Sequence, residues 1–181
     1  MNYEKIIALL LCIGIFAVAA SGCGGSSSKD PVATSDEAGS LEASDYDNDF
    51  EGLCNYLSAY GYINPLKENE GVTYTITRAE IIGASKGRRF ETKKIKDTPI
   101  KDATIELYEY DLEALSSTPD EAAEKTISSV KQDGTFENLL GETVKDVYLS
   151  KNGRFLMIYN GKDDGKDELV ERFQNFHADD K

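Results

Sequence analysis

Residues 143–159 read "TVKDVYLSKNGRFLMIY", two runs of β-forming residues on either side of Asn152 and Gly153. Asn-Gly tolerates the positive φ that a tight turn demands, and between two such runs it is the strongest short-range signal for a β-hairpin. The second run, residues 155–159, is apolar at every position. A strand that is apolar on both sides has to be covered on both, which predicts a central place in a sheet.

Working outward, "RRFETKKI" (88–95) and "ATIELYEYDL" (103–112) are β-rich and separated by "KDTPIKD", whose Asp-Thr-Pro suits a turn. They predict a second hairpin. Helical spacing of Phe50, Leu53, Cys54, Leu57 and Tyr60, ahead of Gly61, predicts a first helix. In "STPDEAAEKTISSVKQDG" (117–134), Thr118 reads as N-cap, Pro119 as the first helical residue and Gly134 as the stop, with Ala123, Ile127 and Val130 facing inward. A last helix over 167–177 would bury Leu169, Val170, Phe173 and Phe176.

Residues 71–90, "GVTYTITRAEIIGASKGRRF", read two ways: Val72, Tyr74 and Ile76 alternate as in a strand, whereas Thr77 and Glu80 have capping-box spacing. The second reading predicts a short helix over 78–85, closed by Gly87. The expected fold class is therefore α+β, an antiparallel sheet of about four strands with helices packed on it. The order is helix, short helix, two strands, helix, two strands, helix.

The chain opens with an apolar run over residues 6–20, preceded by Lys5 and followed by small residues, the layout of a secretory signal peptide. It is shorter than the roughly 20 residues a spanning helix needs. The stretch "ASGC", Ala20-Ser21-Gly22-Cys23, resembles the lipobox of bacterial lipoproteins. That resemblance implies that Cys23 becomes the mature N-terminus and carries diacylglyceryl lipid, whose two chains suffice for stable anchoring. The expected division is signal peptide 1–22, a lipidated disordered tether 23–45 and one α+β domain 46–181. The blocks "IIGASKGRRF", "ATIELYEYDLEAL" and "NGRFLMIYN" resemble small uncharacterised lipoproteins of Gram-positive bacteria, a likeness that implies fold and location but no activity. The implied localisation is the cell membrane, lipid-anchored and facing away from the cytoplasm.

With Cys12 removed and Cys23 lipidated, Cys54 is the last free thiol, so the domain must be held by its core rather than by disulfides. The net charge of −13 argues against nucleic acid as a partner. Catalytic pairings are scarce: the one histidine, His177, sits at a helix end, and Cys54 lies on an apolar stripe. A carboxylate-dependent hydrolase would use Glu106, Glu109 or Asp111. A calcium-binding reading rests on "DYDNDFEG" (45–52) and "NGKDDGKDELVE" (160–171). The first lacks a carboxylate at the twelfth position in either register, and the second places Lys162 where a ligand belongs. Asp47 or Asp49 reads better as an N-cap, and Asp164 or Asp167 as the cap of the last helix.

One stretch is basic: Lys86, Arg88, Arg89, Lys93, Lys94, Lys96 and Lys101 against Glu91 and Asp97, about +5 by count. Its Arg88, Arg89, Lys93, Lys94 and Lys96 are candidate contacts for an anionic surface or polymer. The functional expectation is a lipid-anchored interaction module, without cofactor or catalysis, that binds a protein or envelope component through its sheet face or this basic hairpin. Small-ligand binding and hydrolysis are the alternatives.

Overall fold

The computed structural model describes residues 41–64, 74–95, 97–162 and 164–180. The expected signal peptide, Cys23 and the tether as far as residue 40 lie outside them, as do the side chains of Lys94 and Lys96.

Five antiparallel strands form the main sheet: β1 (Thr75–Ile76), β2 (Lys86–Glu91), β3 (Thr104–Glu109), β6 (Val147–Leu149) and β7 (Phe155–Asn160). Their spatial order is β1-β2-β3-β7-β6, and a separate two-stranded ribbon pairs β4 (Phe136–Glu137) with β5 (Thr143–Val144). Both expected hairpins are present, β2 with β3 and β6 with β7. The fold is α+β, with five strands in the sheet rather than four.

β7 lies between β3 and β6, with Leu107 opposite Met157 and Tyr108 opposite Leu156. Its alternation divides the core in two. Phe155, Met157 and Tyr159 join Phe90, Ile105 and Leu107 beneath α1 (Phe50–Ala59) and α4 (Lys166–Asn175). Leu156 joins Tyr108 and Val147 beneath α3 (Glu121–Asp133) and a 3-10 turn, Ala79–Ile82. The second cover is partial, since Glu91 and Arg89 on β2 and Glu106 on β3 retain solvent contact.

Several boundaries differ from expectation for local reasons. Asp49 caps α1, accepting from the Gly52 amide at 2.7 Å, as one of the two expected candidates. The strand reading of residues 72–76 holds in part, as β1. The expected helix over 78–85 is one 3-10 turn that stops at Gly83, φ +68°, instead of Gly87, and Thr77 makes no cap. Gly87 instead lies within β2, opposite Tyr108, where a Cβ would crowd Thr77 Oγ1 and sit 2.8 Å from the Tyr108 ring. The cap of α3 is Asp120, accepting from Ala123 N, so Thr118 and Pro119 precede the helix. Gly165 in the left-handed region, rather than Asp164 or Asp167, leads into α4. A further helix, α2 (Leu112–Ser117), buries no residue and is capped by Asp111. Contact with the main core begins slightly ahead of residue 46: Ala43 and Tyr46 pack against it, and the Tyr60 hydroxyl donates to Leu41 O.

Candidate interaction surface

Among the described residues of the basic stretch, Arg88 and Arg89 do not share one surface. Successive strand residues face opposite ways, so Arg88 and Arg89 leave β2 on different sides of the sheet. Arg88 turns to the main core, its guanidinium 4.3 Å from the Tyr74 ring centroid and 5.1 Å from that of Phe50. It donates to both carboxylate oxygens of Glu51, at 2.8 and 2.5 Å. Arg89 lies across from Glu106 at 3.6 Å, and Lys93 reaches Glu91 at 3.3 Å. These cations balance acids of their own domain.

Glu106 and Glu109 are likewise separated by the pleat, three residues apart on one strand and so on opposite faces. Glu106 accepts from the Tyr108 hydroxyl at 2.7 Å on the second face. Glu109 is 3% exposed, bonded by Arg154 Nε at 3.0 Å and Nη2 at 2.8 Å and by Lys86 Nζ at 2.9 Å. A buried carboxylate enclosed by two cations is fixed in position, a structural tie across β2, β3 and the β6–β7 turn. Asp111 is engaged as the α2 cap, through Ala114 N. A shallow cavity of about 290 Å³ adjoins Asp111, Arg154 and Asp180.

The acidic loops also have structural occupations. In "DYDNDFEG" the glycine serves close packing: a Cβ on Gly52 would fall 1.9 Å from the Asp47 carbonyl oxygen. In the second loop the Tyr159 hydroxyl donates to the Lys162 carbonyl, and Glu171 is exposed on α4. Among the described residues, no group of three or more His, Cys, Asp or Glu side chains is placed to hold a metal ion. His177, φ +47°, joins the two ends of the domain, with Nδ1 2.7 Å from Asp180 Oδ2 and Nε2 2.8 Å from Tyr46 O. Cys54 is wholly buried in the main core, and burial pushes its thiol up to about 12, against a smaller opposing pull from Arg88. A thiol so raised is protonated and inert at neutral pH.

Among the described residues four large apolar side chains are exposed: Ile76, Leu112, and the adjacent Leu139 and Leu140. Leu139 is 73% exposed and Leu140 82%, side by side at the tip of the β4–β5 ribbon. The base of the ribbon is anchored, with Phe136 buried in the second core and Val144 packed against it. The turn is tied by Asn138, whose Oδ1 accepts from Leu140 N at 2.9 Å and Glu142 N at 3.0 Å. Its Nδ2 donates to the Glu142 carboxylate at 3.0 Å. Gly141, φ +75°, completes the turn with open space around it. Sequence reasoning passed over this feature, although adjacent leucines between Asn138 and Gly141 could have signalled it: a turn-forming context gives apolar side chains nothing to pack on.

Comparisons with protein-family models, with curated proteins and with solved structures return no match. Among the described residues no helix is long and apolar enough to cross a membrane.

Proposed function

We propose that this chain is a lipid-anchored interaction module facing away from the cytoplasm. Cys23 carries the lipid, the residues that follow tether the domain, and the domain recognises a protein of the cell envelope without catalysing a reaction. The observation that carries the binding role is the Leu139–Leu140 pair, exposed on a turn that the protein's own hydrogen bonds hold in one shape. Monomeric domains expose single leucines routinely; two adjacent ones at the tip of a hydrogen-bonded turn support a contact surface. The absence of a catalytic role is supported by the engagement of Glu109, Asp111 and Cys54 in ion pairing, capping and core packing.

Both halves are testable in cells. Cys23→Ala should move the protein from the membrane fraction to the soluble fraction, and unchanged membrane association would refute the anchor. Chemical cross-linking of the anchored wild type should give a discrete adduct with one or a few envelope proteins. A pattern no different from that of an unrelated anchored protein would refute the binding role.

A further inference from the structure

The chemistry of the ribbon tip constrains what can cover it. From residue 133 to residue 142 the chain carries Asp133, Glu137 and Glu142 and no basic side chain. The Glu142 carboxylate accepts from Asn138 Nδ2 across the turn, which places a negative charge on the same turn as the apolar pair. Glu137, exposed and paired across the ribbon with Thr143, adds a second.

A bilayer is a poor occupant of this surface. Seating two leucines below the headgroups would press both glutamates against a surface that is commonly anionic, and no Lys, Arg or aromatic residue of the tip would offset that. A second copy of the chain is opposed by a net charge of −13 on each molecule. An apolar cleft rimmed by Lys or Arg satisfies both features at once. The leucines leave water, and the carboxylates meet opposite charge, which speeds encounter and sets orientation. The tied turn means that little conformational freedom is lost on docking.

We propose that the Leu139–Leu140 tip inserts into an apolar cleft with a basic rim on a partner protein of the envelope. This rests on the interaction reading above and names the surface and partner chemistry for it. The experiment places a photo-cross-linking amino acid at Thr143, beside the tip, in the full-length anchored protein in its own cells, with control positions at Thr75 and Lys151. The expected result is one protein adduct from position 143. That protein, once purified, should bind wild type at least tenfold more tightly than the Leu139→Ser/Leu140→Ser variant. Glu137→Lys should weaken binding several-fold, by less as salt rises, as screening of a rim charge requires.

An adduct with lipid or with a second copy would overturn the proposal. So would a protein adduct whose binding is indifferent to the leucines. If the control positions capture a partner and position 143 does not, the docking surface is wrong and the interaction module stands. If no position captures a protein, both readings fail.

Discussion

The two faces of the sheet are covered in opposite styles. Beneath α1 and α4 the core is built of large side chains: Phe50, Phe90, Phe155, Phe173 and Phe176 are each at most 1% exposed. Beneath α3 and the 3-10 turn the buried set is smaller and mixed, with Ala79, Ala84, Ala123 and Val130 around Tyr108, Tyr110, Phe136 and Leu156, and the β4–β5 ribbon supplies part of the cover. The first face buries the larger apolar set, whereas the second carries a segment whose base is in the core and whose tip is not. On the function proposed above, stability and recognition fall on different sides of one sheet.

The contrast breaks most visibly under truncation. Phe173→Ala should cost about 3–5 kcal/mol in urea unfolding, since it removes a fully buried ring from a closed core. Val130→Ala on the other face deletes less volume beneath a lighter cover and should cost about 1–2 kcal/mol. Equal losses would mean that the two cores are not energetically distinct.

Gly83→Ala tests how the second cover is fastened. Gly83 has φ +68°, and a Cβ there would stand 2.4 Å from Ala123 N and 2.6 Å from Asp120 Oδ1, so the 3-10 turn and the start of α3 would be forced apart. A loss on the order of 2 kcal/mol or more is expected. A neutral substitution would show that this contact does not close the second face.

A pH experiment addresses the first face. Burial raises the Cys54 thiol from 9.0 to about 12, so its contribution is fully present below about pH 9 and is lost as pH rises from there towards 12. At pH 10 the wild type should have lost about 1–2 kcal/mol relative to pH 8 through this group, a loss absent in Cys54→Ala. Tyr62, also raised to about 12 by burial, acts in the same direction at higher pH. Identical alkaline profiles for the two proteins would contradict the burial of the thiol.

The same division explains which parts of the molecule the sequence disclosed. α1, α3 and α4 bury periodic stripes, and β7 is apolar on both sides, so all four are legible from spacing alone. β4 and β5 have two residues each and cannot show alternation, and α2 buries nothing that would print a stripe. The Thr77–Glu80 spacing was misleading because Gly83 halts the helix after one turn. The burial of Glu109 leaves no mark in the sequence, because one of its partners, Arg154, is 45 positions away and becomes visible only once β3 and β7 are paired. Leu139 and Leu140 belong to no period, and their exposure follows from a turn set by one asparagine side chain.

The smallest expected effect is the most discriminating. Leu139→Ser combined with Leu140→Ser should leave unfolding free energy within about 0.5 kcal/mol of wild type, because neither side chain contributes to either core and surface changes of this kind are near neutral. The ribbon's own bonds use the backbone amides of residues 140 and 142 and the side chains of Asn138 and Glu142, all retained in the double variant. A loss comparable to that of Val130→Ala would mean that the leucines pack on the domain, and the tip would then belong to the second core. An unchanged melt together with lost partner binding would separate recognition from stability within a single ribbon, base from tip.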